Sequence, residues 1–327
     1  MNDRSVSVLD NYDLEVQSVS KGRNAYICQT DKGIFTLEEY KGSQEKLACL
    51  ENLLMQIEQS GCCRTDRLIR NKEGELCCKD AEGFVYILKK YRTGRECSVK
   101  NKEELLSAIK LLGRLHNVME YCQIDEIMDW KIHTLKEEVE KHNRELRHVR
   151  KYLRRRSDKT EFERELLYRY QFFLDKAISL EEKLKQEEGK IVPYQHLQLC
   201  HGDYQYHNIL IEEDNFSVIH FENFHRESCI KDLYLFLRKV MEKHNWSMDL
   251  WNQMIQSYQL ERTLSLYDWM ELYNRFSYPE KFWKIVNFYL NNRKSWQPEK
   301  NLEKIRKVFE QDTEKEKILH KIRKHVD

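Results

Sequence analysis

Over the first 90 residues the apolar positions form short β-rich runs broken by turns, with one helical pattern among them. Residues 25–38 read AYICQT-DKG-IFTLEE, two such runs around an Asp-Lys-Gly turn, which predicts a β-hairpin. The run FVYIL at 84–88 predicts a further strand. A helix is predicted over 44–59 because apolar side chains recur at helical spacing, at Leu47, Leu50, Leu54 and Ile57. Residues 1–90 are therefore predicted to form a small α+β unit.

From residue 91 to 327 the pattern is mainly helical. Residues 131–188 contain no glycine and carry two apolar stripes at heptad spacing, separated by the polar stretch 154–161. Two stripes of that kind predict an antiparallel pair of helices, a helical hairpin. Short strand-like runs return at 197–224, LQLCHGDYQYHNILIEEDNFSVIHFENF. The predicted fold class is α+β, with the helices concentrated in the C-terminal part.

Composition and charge argue against a polyanion-binding, a membrane-spanning, a secreted or a zinc-containing protein. The chain has 56 basic and 55 acidic residues, a net charge of +1, so its overall charge does not favour a polyanionic partner. No apolar run is long enough for a transmembrane helix, and the N-terminus lacks the apolar core of a signal peptide. We therefore expect synthesis in the cytoplasm and no membrane partner. The ten cysteines include no C-x-x-C pair, which disfavours structural zinc and favours reduced, buried thiols.

One segment departs from this charge balance. Between Lys141 and Arg156 there are eight basic residues and a single acid, Glu145. Such a stretch is compatible with binding to RNA or another anion, which would require strong salt dependence. We favour an exposed hairpin face that is balanced by the acidic residues following it, and nucleic acid is not an expected partner.

The strongest chemical signal is His201-Gly202-Asp203, followed five residues later by Asn208. Transfer of a phosphoryl group from ATP needs a carboxylate that orients or accepts the proton of the attacking hydroxyl. It also needs an oxygen ligand for Mg²⁺ a short loop away. The pattern H-x-D-x-x-x-x-N supplies both groups from one loop, and the strand-like runs after it are the expected context.

These residues resemble the catalytic region of CotS-type spore-coat proteins, which belong to the aminoglycoside and choline kinase-like superfamily. The resemblance rests on HGDYQYHNILI, VIHFENF and KDLYLFLRKVMEKHNW, and it extends in order through TDKGIFTLEEY, YRTGRE, LLGRLHN and FSYPEKFWKIVNFYLNNRKSWQP. It implies a protein-kinase-like, two-lobed fold with a small β-rich N-lobe at 1–90. The larger helical C-lobe at 91–327 would contain the inserted hairpin, and ATP with Mg²⁺ would lie in the cleft between the lobes.

The resemblance also assigns roles to single residues. Asp203 takes the position of the catalytic base, and Asn208 that of a Mg²⁺ ligand. Asp232 matches an aspartate of the C-lobe that is usually structural. The helix glutamate that partners the phosphate-binding lysine would be either Glu45 or Glu51, and the sequence leaves this choice open.

Two positions depart from the family pattern. Where the family has a lysine that holds the nucleotide phosphates, this chain has Glu38, and where it has a metal-binding aspartate before Phe-Glu, this chain has His220. A lysine about 4 Å from a phosphate gains roughly 4 kcal/mol at an effective dielectric constant near 20, and glutamate reverses that sign. Histidine is a poor ligand for Mg²⁺, which prefers oxygen. We therefore expect the site to lack its cation and to have lost efficient phosphoryl transfer.

Compensating residues are conceivable. Lys21, Arg23 or Lys41 could reach the phosphates from a neighbouring position, and Glu222 could rotate to bind metal. His220 could favour zinc or manganese together with Asn208 and Asp203, although a packed or solvent-bonded histidine is favoured over that arrangement.

The function predicted from these considerations is that of a pseudokinase with a structural or assembly role in the spore coat. Its partners would be other coat proteins, it would be made in the mother cell, and a small-molecule ligand could occupy the cleft without turnover. The alternative is an active ATP-dependent phosphotransferase for a small molecule or sugar, with an atypical nucleotide site. Intact Asp203 and Asn208 favour the alternative, whereas Glu38 and His220 favour the pseudokinase.

Overall fold

The computed structural model describes residues 6–22, 25–124, 134–187, 197–213, 215–291 and 298–326. It has a β-sheet region near the N-terminus and a helical C-terminal region, which confirms the predicted α+β class. The chain forms two compact units. The first contains the chain up to residue 130, Gln198–Arg226 and Leu260–Arg262, and the second contains Lys131–Leu197, Glu227–Gln259 and Thr263–Asp327. The proposed lobe boundary at residue 90 stays a prediction.

The first unit contains two sheets. The larger sheet has the order β1-β2-β3-β7-β5, with β6 also paired to β7. Its strands are β1 (Val16–Lys21), β2 (Tyr26–Thr30), β3 (Gly33–Glu39), β5 (Leu68–Ile69), β6 (Cys78–Lys79) and β7 (Val85–Lys90). The smaller sheet, in the order β4-β11-β10-β8, consists of β4 (Arg64–Thr65), β8 (Arg95–Glu96), β10 (Ile209–Glu212) and β11 (Asn215–Val218). Two more strands are β9 (Leu197–Cys200) and β12 (His225–Ser228).

The register between β3 and β7 decides which side chains share a face. These strands are antiparallel, with Leu37 opposite Leu88 and Thr36 opposite Lys89. Because side chains alternate along a strand, Leu37 and Leu88 lie on one face and Glu38 and Lys89 on the other. The leucines are fully buried in an apolar cluster with Cys28. That burial fixes the register, since a slip of one residue would move both leucines out of the core.

Two helices complete the first unit. Helix α1 (Gln44–Gln59) begins after Ser43, whose side chain accepts a hydrogen bond from the amide of Lys46. Helix α2 (Lys102–Tyr121) begins after Asn101, whose side chain accepts from the amides of Glu103 and Glu104. The apolar face of α1 that the sequence predicts is buried, at Leu47, Leu50, Leu54 and Ile57.

The second unit is built around the predicted helical hairpin. Its helices are α3 (Leu135–Arg155) and α4 (Glu161–Gln186), and each begins with a capping box, Thr134 with Glu137 and Thr160 with Glu163. The other helices are α5 (Ile230–Met241), α6 (Met248–Gln259), α7 (Leu266–Ser277), α8 (Glu280–Asn291) and α9 (Pro298–Arg323). The hairpin packs with α8 and α9 into one apolar core. Among the helices in the described ranges, none is both long and apolar enough to cross a bilayer.

A buried polar network joins α3 to α4. Asn143 is fully buried, and its side-chain nitrogen donates to the carbonyl of Ala177 and to the carboxylate of Glu181, at 2.9 and 2.8 Å. The same carboxylate accepts from Arg147 at 2.8 Å and from Lys185 at 2.7 Å. Burial works against the charge of Glu181, but these donors outweigh it and lower its pKa to about 2.

We expect Glu181→Gln to lower the free energy of unfolding by about 2 kcal/mol at neutral pH. Because the folded-state pKa of Glu181 is depressed, its contribution is present above about pH 4.5 and is lost as the pH falls through about 2. The difference between wild type and variant, measured by urea unfolding at a series of pH values, should therefore shrink with acidification. Glu182→Gln, at an exposed neighbouring position, is the control and should change little. A pH-independent difference would contradict the assignment.

Candidate functional site

The loop after β9 carries the His-Gly-Asp motif, and hydrogen bonds to His201 set its conformation. The His201 ring is fully buried. Its Nδ1 accepts from the amide of Asp203 at 3.1 Å, so Nε2 carries the proton and donates to the carbonyl of Ile219 at 3.1 Å. Tyr204 donates its hydroxyl proton to the carbonyl of Ala108 in α2, at 2.7 Å. The loop is thereby attached both to the segment after β11 and to α2.

Gly202 has no acceptable substitute in this loop. Its φ of +82° lies in the left-handed region. A Cβ at this position would lie 2.2 Å from the carbonyl oxygen of Asn223, which belongs to backbone and cannot yield as a flexible side chain would. The glycine of the motif is therefore required by the close approach of two backbone segments.

The structure brings the predicted pair Asp203 and Asn208 together. The Asn208 side-chain nitrogen donates to the backbone carbonyl of Asp203 at 2.9 Å and to its Oδ2 at 3.1 Å. Gln205 donates to the same Oδ2 at 2.8 Å. Asp203 is half-buried and lines a groove, as a carboxylate that receives a proton must. A metal bound by Asn208 would have to use the carbonyl oxygen of this amide, because its nitrogen is bonded to Asp203.

The centre of the site is Lys89, which the sequence analysis missed. Its side chain is 1% exposed, and its Nζ lies 3.0 Å from Glu38, 2.8 Å from Asp66 and 2.5 Å from Glu222. The ammonium group donates a hydrogen bond to Glu222, and the other two carboxylates lie within ion-pair distance of it. The expectation that the site lacks a cation is wrong, because β7 supplies one next to Glu38.

The compensating cations proposed from the sequence do not take this role. Lys21 is exposed at the end of β1, and Lys41 forms an ion pair with Glu39 at 3.4 Å. Arg23 lies outside the described residues. The sequence did contain a signal for Lys89, the run YILKK at 86–90. Because side chains alternate between the two faces of a strand, one of its two lysines must lie on the same face as Glu38 if β3 and β7 are neighbours.

Asp66 is held in place by a second polar cluster. Arg92 donates through Nε to the carbonyl of Thr65 at 2.5 Å and pairs with Glu58. Glu58 in turn accepts from the amide of Thr65 at 2.8 Å. These bonds fix the backbone beside Asp66, whose Oδ2 also accepts from the amide of His220 at 3.1 Å.

His220 and Glu222 lie next to Glu38 in this cluster. The structure thus brings together the two substituted positions, Glu38 and His220, and the nearby Glu222. His220 adopts a left-handed backbone conformation, φ 66° and ψ 54°, which is uncommon for a residue other than glycine. Its Nδ1 lies 3.5 Å from the Lys89 Nζ, 3.7 Å from Glu222 and 3.9 Å from Glu38. Asp203 is not part of this group of donor atoms, which lie within 4.8 Å of one another.

The pKa values show how strongly these charges depend on each other. Burial alone would lower the pKa of Lys89, but Asp66, Glu222 and Glu38 outweigh it and raise the pKa well above its ordinary value. Burial also opposes ionisation of Glu222, yet Lys89 and His220 hold its pKa far below the usual range. The pKa of Glu38 is raised, because burial and the charge of Glu222 exceed the effect of Lys89. For His220 burial favours the neutral ring, but Glu222 and Glu38 prevail and raise its pKa.

Neither candidate for the helix glutamate partners Lys89. Glu51 binds Arg70, with Nε and Oε1 2.9 Å apart. Glu45 lies in the first turn of α1, where a backbone amide and Ser43 lower its pKa. Lys46 of α1 does approach the site, and its ammonium group lies over the ring of Phe224, 5.2 Å from the ring centroid. Burial lowers the pKa of Lys46, and the charge of Glu222 partly opposes that effect. Asp232 is fully buried in α5, and its structural role stays a prediction.

The charged side chains that line the groove beside this cluster are mainly acidic. Its volume is about 700 Å³, ample for a small molecule. Its lining includes two permanently cationic side chains, Lys90 and Arg92, against six carboxylates: Glu38, Glu39, Asp66, Glu96, Asp203 and Glu222. A Mg²⁺ ion would find oxygen ligands there, but Glu38, Asp66 and Glu222 already bind Lys89.

Comparison with known proteins agrees with this fold. Residues 5–322 match the family model described as "Spore coat putative kinase YutH". An aminoglycoside phosphotransferase from Alicyclobacillus acidocaldarius superposes with a TM-score of 0.82 at 16% identity, over 98% of this chain and 96% of that one. An amicoumacin kinase, solved with AMP-PNP, Ca²⁺ and its antibiotic, gives 0.66 at 12% identity, over 94% and 92%. A microcompartment-associated aminopropanol kinase gives 0.67 at 10% identity, over 97% of both chains. No curated protein matched the sequence.

We expect Lys89→Met to destabilise the first unit by about 3–5 kcal/mol near neutral pH, because it leaves buried carboxylates without their counter-ion. The loss should diminish as the pH falls toward 5, where those carboxylates can take up protons. Thermal unfolding over this pH range measures both effects. Lys90→Met is the matched control, because Lys90 is the exposed next residue of β7. Equal losses in the two variants would show that Lys89 is not the structural cation of the site.

Proposed function

The chain belongs to the spore coat putative kinase family, and from that premise we propose that it is a kinase-fold component of the bacterial spore coat without efficient phosphoryl transfer. Its role is then structural, or lies in assembly, and its partners are other coat proteins. A small molecule in the groove would be bound without turnover.

The observation that carries this proposal is the saturation of Lys89. In a phosphotransferase a lysine of the sheet donates to the phosphates of the nucleotide. Here the ammonium nitrogen lies 3.0, 2.8 and 2.5 Å from carboxylate oxygens of Glu38, Asp66 and Glu222, and it donates a hydrogen bond to Glu222. A phosphate would have to displace one of these carboxylates and leave it buried without a counter-charge, at a cost of several kcal/mol.

The surrounding charge adds to this cost. Three further carboxylates, Glu39, Glu96 and Asp203, line the groove, and the triphosphate of ATP is itself strongly anionic. Each carboxylate about 5 Å from a phosphate opposes binding by roughly 3 kcal/mol at an effective dielectric constant near 20. His220, at the position of the metal-binding aspartate, does not supply the oxygen ligand that Mg²⁺ prefers.

The second candidate function is an active phosphotransferase for a small molecule. It is favoured by one observation, the intact contact between Asp203 and Asn208. For this function a phosphate of the nucleotide would have to replace one of the carboxylates that contact Lys89. Mg²⁺ would then have to neutralise the charge of Glu38, Asp66 and Glu222 together.

A titration with nucleotide distinguishes the two functions. With ATP and either Mg²⁺ or Mn²⁺ we expect a thermal shift below about 1 °C, because binding to the folded state alone raises stability. We also expect phosphate release no faster than that of Asp203→Asn. A clear stabilisation together with turnover that depends on Asp203 would overturn the proposal in favour of the active enzyme.

A second pair of variants tests the proposed cause. Glu38→Gln removes one negative charge beside Lys89 and leaves only a neutral acceptor there, which a phosphate displaces more readily, so nucleotide affinity should rise by at least about tenfold. Glu39→Gln is the control: Glu39 also lines the groove, but its side chain pairs with Lys41 and not with Lys89. This substitution should have a much smaller effect on nucleotide affinity. If Glu38→Gln and Glu39→Gln raise affinity equally, overall charge and not the occupation of Lys89 limits binding.

A further inference from the structure

The outer face of α3 carries an uninterrupted row of basic side chains. We call it the basic ridge, and its members are Lys141, Arg144, His148, Lys151 and Arg155. Their spacing alternates between three and four residues, so they lie along one line on the helix surface. All five are exposed, and the buried residues Val139, Leu146 and Leu153 lie on the opposite side of the helix.

Three other basic residues of the same segment are bonded within the hairpin, whereas Arg154 is exposed beside the ridge. Arg147 binds Glu181 at 2.8 Å, Arg156 lies 3.2 Å from Glu163, and Arg150 binds Gln171. The acidic residues of α4 thus balance the flank of α3 that faces them, as the sequence analysis favoured. They do not balance the basic ridge, for which no ion pair occurs within the described residues.

A row of like charges three and four residues apart opposes helix formation. A helix surface that only has to remain hydrated usually carries interspersed positive and negative side chains. The acidic residues of α3 lie outside the ridge segment or on its flanks, at Glu137, Glu138, Glu140 and Glu145. The ridge extends from 141 to 155, which corresponds to about 21 Å of helix. Repulsion along this line is relieved when a surface of opposite charge lies against it.

We propose that the basic ridge binds an acidic α-helical segment of another protein. The spacing of the ridge is that of a heptad repeat, and its four lysine and arginine side chains lie about 5 to 10 Å apart along the axis. A partner helix with glutamates at the same spacing places a carboxylate opposite each cation, as charged side chains do along coiled coils.

Nucleic acid fits the ridge less well. The phosphates of a duplex follow a curved path, so a straight row along one helix meets few of them, and the ridge carries no exposed aromatic residue on which a base could stack. A second copy of this chain fits less well too if it binds through α9, a long helix of this unit along which exposed acids and bases alternate.

The experiment measures binding of the full chain to a fluorescent helical peptide of about 21 residues, with glutamates at alternating spacings of three and four on one face. An isomeric peptide has the same composition with its glutamates spread around the helix. The ridge variant combines Arg144→Glu, Lys151→Glu and Arg155→Glu. Its control reverses three exposed lysines elsewhere, Lys100→Glu, Lys243→Glu and Lys300→Glu, so that both proteins have the same net charge. Circular dichroism establishes that each variant is folded.

We expect the patterned peptide to bind and to weaken as salt rises from about 50 to 200 mM. The ridge variant should lose at least about tenfold in affinity and the control less than about threefold, and the isomeric peptide should bind at least about fivefold more weakly. Equal losses in the two variants, or equal binding of the two peptides, would overturn the proposal. Tighter binding to a DNA duplex of about 20 base pairs, or self-association that the ridge variant abolishes, would overturn it as well.

Discussion

The ammonium group of Lys89 and its three carboxylates form the interaction on which the rest of the site depends. Glu38 comes from β3, Asp66 from the connection between β4 and β5, and Glu222 from the turn after β11, so one buried cation joins three separate parts of the chain. Without it, these acids could not remain ionised in a buried position. The cation that stabilises this arrangement is thus held by carboxylates from three sides.

Much of the architecture could be predicted from the sequence because it depends on local patterns. The hairpin of β2 and β3 follows from β-rich runs around a turn, and the pair α3 and α4 follows from two heptad stripes. The contact between Asp203 and Asn208 could also be predicted, because both residues belong to one short loop. Each of these features involves residues that are close in the chain or periodic along it.

Lys89 could not be found in the same way, because its role depends on the pairing of β3 with β7. These strands are separated by about 50 residues, and the lysine faces Glu38 only because Leu37 and Leu88 fix the register from the other side. Asp66 was missed for a similar reason, since its position depends on the neighbouring backbone of Thr65, whose carbonyl accepts from Arg92 and whose amide donates to Glu58. Motif comparison position by position detects the loss of a lysine from β3 but not the gain of one on a neighbouring strand.

The tight approach at Gly202 has a consequence for the way such chains are classified. The glycine, the buried ring of His201 and the amide of Asn208 are each required by backbone geometry, whether or not a phosphate is ever transferred. An intact signature therefore reports on the fold of this loop. A survey that counts His-Gly-Asp loops identifies chains that share this backbone geometry, and turnover has to be measured for each of them.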